Sequence, residues 1–214
     1  MCECNHPVVT VQALQRMPYY IQQLRILKEK KVETVSAPKI AELLNLNEVQ
    51  VRKDFAAVCR EKGKPKTGFL VTELLNNMEE FLGYHNVNEA VIIGTGSLAR
   101  AIIADDSFQN FGLKIVAAFD TSPNQGDTEV CGVKILSSDK ISNLCRRMQI
   151  HIGIITVPAG QAQIVCDQLV AGGILAIWNF ASVHLSVPEH ILVQNENLTA
   201  SLAVLSNYLK KTLQ

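Results

Sequence analysis

Nowhere in this 214-residue chain do the ~18–20 consecutive apolar residues of a bilayer-spanning helix occur, so a helical membrane protein is not expected. The opening Met1-Cys2-Glu3-Cys4-Asn5-His6-Pro7 has no basic stretch followed by an apolar core. A secretory signal is therefore not expected, and a cytoplasmic location is the default. The six cysteines are scattered and outline no disulfide framework, which a chain of this length does not need. Cys2, Cys4 and His6 match no zinc-ligand spacing, so no metal site is expected. His151, His184 and His190 fall near or after candidate strands, but none has an acidic partner at a diagnostic spacing. No catalytic residues are assigned. Lysine plus arginine equals aspartate plus glutamate at 20 each, so overall charge does not announce a nucleic-acid partner.

The distribution of charge says more than its sum. From Arg52 to Lys66 there are six basic residues against two acidic ones. Just before this stretch, Ser36 suits the N-cap of a helix with Pro38 in its first turn, running to Leu44. Asn45 suits the left-handed residue that ends it. Asn47 then caps a second helix, with Gln50 as a capping-box partner. This second helix carries Gln50, Arg52, Lys53 and Asp54, with Val51 and Phe55 on its buried side. Two short helices split by a tight turn, the second polar and basic, form the layout that seats a recognition helix in a DNA major groove. The following Lys62-Gly63-Lys64-Pro65-Lys66-Thr67-Gly68-Phe69 alternates lysine with turn formers, as a wing laid along phosphates would. Ser36, Lys39, Asn47, Gln50, Arg52, Lys53, Lys62, Lys64 and Lys66 are the candidate DNA contacts. From these residues alone, a protein partner for the helix pair also stays open.

Apolar spacing changes character near residue 84. Before it, Ile21, Leu24 and Leu27, then Ile40, Leu43 and Leu44, recur at helical intervals. After it come short continuous runs: 90–93, 115–119, 152–155 and 173–178. Each ends near a turn signal, and most precede a helix-like stretch, as parallel strands covered on both faces do. The expected fold class is α/β. A winged helix-turn-helix domain spans 1–83, a Rossmann-like parallel-sheet domain 84–196, and a C-terminal helix 197–214.

Gly94-Thr95-Gly96-Ser97-Leu98-Ala99 lies between the first of these strands and a helix, fitting a G-x-G-x-x-G/A dinucleotide fingerprint. Gly94 permits the tight turn and Gly96 lets a pyrophosphate approach the backbone. Ala99 keeps helix and strand close, and the helix N-terminus faces the phosphates. Asp120 and Thr121 end the second strand about twenty residues further on. A carboxylate there accepts from ribose hydroxyls and disfavours a 2′-phosphate, so the expected cofactor is NAD(H). Thr156-Val157-Pro158-Ala159 ends a later strand, where the carboxyl end faces the dinucleotide. A nicotinamide site without acid–base machinery points to a nucleotide that acts as a signal.

Taken together these segments resemble the Rex redox-sensing repressors, over nearly the whole chain. Arg16-Met17-Pro18-Tyr19-Tyr20 is similar to the family's R-L-P-x-Y-Y, and Gln50-Val51-Arg52-Lys53-Asp54-Phe55 to its Q-I-R-K-D-L. The glycine motif, Ala117-Ala118-Phe119-Asp120, the T-V-P-A run, Asn179-Phe180-Ala181 and Val187-Pro188-Glu189 follow in order. The resemblance implies a homodimer on double-stranded operator DNA, bound when NAD+ prevails and released by NADH. It implies that Asn179, Phe180, Ala181 and Thr156, Val157, Pro158 line the nicotinamide end, and that the last helix is exchanged between subunits. Leu198, Leu202, Leu205, Leu209 and Leu213 form an apolar stripe in that helix, with Asn197 as its cap.

Three departures stand out. Ala56-Ala57-Val58-Cys59-Arg60-Glu61-Lys62 replaces an aromatic-rich family segment, so operator preference is expected to differ. Asp105 stands where the family has a tyrosine. Asn197 stands where it has an aspartate, although the implied arginine partner is present as Arg16. NADH is therefore expected to be told from NAD+ less well, or through other contacts. Cys59, beside the basic wing, is either a thiol sensitised by positive charge or an ordinary packed residue. Two rival readings remain at this point: a small NAD-dependent dehydrogenase with an N-terminal dimerisation domain, and a nucleotide sensor whose helix pair docks on another protein.

Overall fold

The structure is a computed structural model that describes residues 9–59, 68–121 and 129–213. The chain divides into two units, residues 1–86 and 87–214.

In the first unit, α1 (Val11–Glu29) is capped by Thr10, whose side chain accepts from the Ala13 amide. Strand β1 (Thr34–Val35) leads into α2 (Ala37–Leu44), and α3 (Glu48–Val58) follows at once. Strand β2 (Phe69–Leu70) returns antiparallel to β1, and α4 (Val71–Phe81) closes the unit. At Gly68 (φ +79°) a Cβ would stand 2.4 Å from the Val35 carbonyl oxygen, so only glycine lets the returning chain reach β1 this closely. The lysines of the expected wing, Lys62, Lys64 and Lys66, lie outside the described residues, as do Cys2, Cys4 and His6.

The core of this unit gathers Met17, Tyr20, Ile21 and Leu24 of α1 with Ile40 of α2, Val51 and Phe55 of α3, and Leu74 and Met78 of α4. Phe55 is fully buried, with edge-on ring contacts to Tyr20 at 5.5 Å and Phe69 at 5.3 Å. Such pairs add to the gain from area burial alone. The buried stripe of α2 is Ala37, Ile40, Ala41 and Leu44, the i, i+3, i+4, i+7 pattern. Leu43, expected on this stripe, falls to its side and is 43% exposed.

The second unit is a seven-stranded sheet in the order β5-β6-β4-β3-β7-β8-β9. Its elements are β3 (Asn88–Ile93), α5 (Ser97–Ala104), β4 (Leu113–Asp120), β5 (Glu129–Val130), β6 (Val133–Ser137), α6 (Ile141–Met148), β7 (Ile152–Ile155), α7 (Ala159–Ala171), β8 (Ala176–Asn179), β9 (Leu192–Asn195) and α8 (Leu198–Thr212). Every pairing is parallel except β5 with β6. Successive β3 side chains serve opposite faces. Val91 and Ile93 pack in the cluster that holds Ile141, Val165 and Leu169 of α6 and α7. Ala90 and Ile92 pack with Ala99 and Ile102 of α5. This two-sided burial explains the unbroken apolar runs in the sequence. The last run begins later than expected: residues 173–175 belong to the connection from α7 to β8, where Gly172 caps α7 and Gly173 turns the chain at φ +91°. Among the described residues, no helix is long and apolar enough to cross a membrane.

Truncation of Phe55 to alanine removes a ring that ties three elements together. The expected loss is about 3–5 kcal/mol of stability in denaturant unfolding; a loss under 1 kcal/mol would contradict this packing.

Candidate functional site

The groove of the second unit begins where β3 ends. Gly94 (φ +104°) turns the chain, and its amide donates to the Phe119 carbonyl at 2.8 Å. A Cβ at Gly94 would stand 2.6 Å from Thr156 Oγ1, so a side chain here would wedge the two strand ends apart. Thr156 is itself anchored: its amide and its hydroxyl both donate to the Ile93 carbonyl, at 2.9 and 2.8 Å. Asp120 fixes the next residue, accepting on Oδ2 from the Thr95 amide at 3.0 Å and from the Thr95 hydroxyl at 2.5 Å. Gly96 is the N-cap of α5 and brings no side-chain acceptor, and a Cβ built on it meets nothing within 4 Å. Its backbone is therefore open to a bulky anion.

These residues line a groove of about 560 Å³. Ten of the sequence-derived positions are on its wall: Gly94, Thr95, Gly96, Asp120, Thr121, Thr156, Val157, Pro158, Phe180 and Ala181. Ala159, the last residue of the T-V-P-A run, joins them, as do Gln161 and Ser182, which were not anticipated. Ser182 directly follows the Asn179-Phe180-Ala181 run, and Gln161 lies in the first turn of α7. Ser97, Leu98, Ala99 and Asn179 are not on the wall. Ala99, on the inner face of α5, is wholly buried against Ala90 and Ile92 of β3, as its spacing role demands. Asn179 is wholly buried too, and supports the wall from below. Its Oδ1 accepts from the Ala181 amide at 3.0 Å, while Nδ2 donates to the Val183 carbonyl at 2.9 Å and to Asn195 Oδ1 at 2.8 Å. Phe180 packs on Trp178 at 4.8 Å, and Trp178 Nε1 donates to Glu196.

The helix pair of the first unit is capped as its sequence suggests. Ser36 Oγ accepts from the Lys39 amide, and Asn45 ends α2 at φ 52°, in the left-handed region. Asn47 Oδ1 accepts from the Val49 and Gln50 amides at 2.9 and 3.3 Å. Lys39 pairs with Glu42, Arg52 with Glu48 one turn earlier, and Lys53 is exposed. Such exposed pairs are weak and leave their cations ready to exchange partners.

Two expectations change here. Gln50 does not complete a capping box, because its Nε2 donates forward to Asp54 Oδ1 at 3.0 Å. Asp54 is not on the polar face either, but is 2% exposed. Positions 51, 54, 55 and 58 form the buried stripe of α3, so its inward direction was readable from spacing. What draws a carboxylate inward is its partner set. Arg16 grips it with two bonds, Nε to Oδ2 at 2.8 Å and an amino nitrogen to Oδ1 at 3.0 Å, and the Tyr20 hydroxyl donates to Oδ2 at 2.8 Å. Burial raises the Asp54 carboxyl, but the bonds from Arg16, Tyr20 and Gln50 outweigh it and hold it below its ordinary value. The same burial, helped by Asp54, pushes the Tyr20 hydroxyl up to about 12.

Elsewhere the roles are ordinary. Cys59 is half-buried, and burial raises its thiol, with a bond from Asn77 opposing and Glu73 adding to the rise; the basic residues that follow it lie outside the described residues. Asp105 is exposed at the end of α5 and accepts from the Ser107 amide. His151 has a 3.5 Å contact to the Gly173 carbonyl oxygen. Among the described residues, no group of three or more His, Cys, Asp or Glu is placed to hold a metal ion.

Two family models match the chain: one described as "CoA binding domain" over residues 85–183, and one described as "Putative DNA-binding protein N-terminus" over residues 9–56. The chain is 40% identical over 196 residues to the redox-sensing transcriptional repressor Rex of Bacteroides fragilis, covering 92% of this chain and 89% of that one. It is 33% identical to Rex of Clostridium beijerinckii, covering 94% and 95%. Among solved structures, RSP in complex with β-NAD+ and operator DNA aligns at a TM-score of 0.90 and 30% identity, covering 96% and 95% of the two chains. RSP in complex with β-NADH aligns at 0.83 and 30% identity, covering 97% and 99%.

A carboxyl group held low when folded adds stability that is present above its unfolded value and lost as pH falls through its folded one. Asp54→Asn is therefore expected to be clearly less stable than the parent at pH 7, with the gap narrowing below about pH 4. Urea unfolding of both proteins at pH 7 and pH 3.5 checks this, and an equal gap at the two values would contradict it.

Proposed function

The chain belongs to the Rex family of redox-sensing transcriptional repressors, and we propose that it holds operator DNA while NAD+ prevails and lets go when NADH occupies its groove. The observation that carries this reading is the turn Gly94-Thr95-Gly96, tied to Asp120 and followed by an N-cap without a side-chain acceptor. A pyrophosphate rests over Gly96, where the backbone is open and the α5 dipole is favourable. Asp120 takes the adenosine ribose hydroxyls and repels a 2′-phosphate, which selects NAD(H). The nicotinamide end lies against Thr156, Val157, Pro158, Phe180, Ala181 and Ser182. Asn179 and Ala99 act from behind the wall, not as contacts.

On the DNA side, α3 enters the major groove, with Gln50 toward the bases and Arg52 and Lys53 toward bases or phosphates. Ser36, Lys39 and Asn47 mark the helix starts that approach the backbone. The lysines of the wing add phosphate contacts.

The partner is a second copy of the chain. In α8, Leu202, Leu205, Leu209 and Leu213 are 53–81% exposed, together with Val204 and Tyr208. A helix this apolar and this open requires cover, and exchange of α8 between subunits supplies it. A repressor of this kind works in the cytoplasm, where the chromosome is. The nucleotide acts only through its different affinity for the two dimer forms, so its effect on DNA is an equilibrium coupling.

Asn197 is engaged as the α8 cap, accepting from the Ala200 amide and the Thr199 hydroxyl. Arg16 is committed to Asp54. With Asp105 and Asn197 at these positions, discrimination between the two nucleotides is weaker than in relatives with tyrosine and aspartate there.

Gly96→Val is expected to abolish NADH binding while DNA binding survives, and Arg52→Ala or Lys53→Ala to lower operator affinity at least about fivefold with NADH binding intact. Calorimetry and fluorescence anisotropy at a fixed salt concentration separate the two. Loss of both activities in each variant, or unchanged operator affinity in Arg52→Ala, would contradict the assignment. Titration of NADH and NAD+ into the operator complex is expected to show NADH releasing DNA first. The gap between the two nucleotides should widen in Asp105→Tyr/Asn197→Asp; an unchanged gap removes those positions from the mechanism.

A further inference from the structure

We propose that Asp54 is a positioning residue for sequence reading, turning the Gln50 amide so that α3 selects adenine at one position of each half-site. The inference rests on the DNA-binding reading above and adds a base and a residue to it.

Gln50 lies in the first turn of α3, one turn beyond Asn47, at the end of a recognition helix that meets base edges. It is half-buried, with its side chain directed along the helix to Asp54. A carboxylate accepts hydrogen bonds and donates none, so the amide can meet it only with nitrogen inward. Asp54 cannot swing away to relieve this. Arg16 holds both of its oxygens and Tyr20 holds one, and both residues come from α1. The long Gln50 side chain therefore meets DNA with its orientation already chosen. One amide hydrogen is spent on Asp54, leaving the other beside Oε1.

That remaining pair is one donor next to one acceptor. In the major groove adenine offers the complement, N7 as acceptor and N6 as donor. Guanine offers two acceptors, cytosine a donor alone, and thymine an acceptor beside a methyl group. A glutamine free to rotate would exchange its two ends. One tethered through nitrogen to a buried anion keeps a single sense.

The experiment is selection of bound duplexes from a random pool by the full-length parent, Gln50→Ala and Asp54→Asn, followed by affinity measurements on the parent's preferred operator. The expected result is one adenine position, repeated by dyad symmetry, whose preference falls roughly tenfold or more in Gln50→Ala. In Asp54→Asn the preference falls at that same position while all others are retained, a pattern that a general loss of structure would not give. Replacing that adenine by 7-deazaadenine is expected to weaken the parent's binding and to leave Gln50→Ala unaffected. If Asp54→Asn does not fold, Asp54→Glu takes its place: it keeps the charge for Arg16, displaces the amide, and is expected to lose the same preference. The proposal is overturned if Gln50→Ala selects the parent's sequence, or if the Asp54 variant weakens binding evenly at every position. If the parent enriches no sequence at all, the DNA-binding reading itself falls, and this inference with it.

Discussion

Burial of β3 on both faces, between parallel neighbours on either side, is the constraint from which the nucleotide groove follows. The chain leaving β3 enters α5 on the Ala90 and Ile92 face, and the chain leaving β7 enters α7 on the Val91 and Ile93 face. At the carboxyl edge the two connections part, and a crevice opens between them. Its depth is set by a close approach, since Gly94 leaves no room for a Cβ beside Thr156. Its chemistry is set by Asp120, which holds Thr95 and turns a flexible loop into a fixed rim. A ligand that meets a rim already in place loses less on ordering it.

The first unit is organised around the opposite kind of group. A carboxylate buried at Asp54 would be costly if any of its bonds were missing, and breaking a buried pair typically costs about 3–5 kcal/mol. Here four bonds from Arg16, Tyr20 and Gln50 occupy it. They also tie α1 to α3 across 34 to 38 residues of sequence. Apolar packing of Val51, Phe55 and Val58 turns one stripe of α3 inward. The polar cluster lies on the same stripe and holds it against α1 with directional bonds, so the two together set which side chains of α3 face outward.

Most of the groove was legible in the sequence, and for a physical reason. Tight turns, close approaches and helix starts are served by few residue types, so Gly94, Gly96, Ser36, Asn45 and Asn47 declare their positions. What was misread has another cause. Asp54 is a polar residue on a helix whose other polar residues face outward, and its polarity suggested exposure. It is buried, with bonds that come from Arg16 and Tyr20, residues distant in sequence whose pairing composition does not reveal. Gln50 was assigned to its own helix cap because a capping box is local, whereas the competing carboxylate acquires its strength from α1. Leu43 shows the same limit at smaller scale: spacing identified an apolar stripe on α2, but the neighbours decide its edges.

Coupling between nucleotide and DNA is reciprocal if it exists at all, because both ligands bias one equilibrium. The lone tryptophan of the chain, Trp178, packs directly on Phe180 of the groove wall. Energy transfer from it to bound NADH therefore reports occupancy without any label. The decisive measurement is the NADH dissociation constant obtained from that signal, with and without saturating operator DNA. A repressor released by NADH must bind the nucleotide more weakly on DNA, by the same factor by which NADH weakens the DNA complex. An NADH affinity indifferent to the operator would show two independent binding sites and no redox switch.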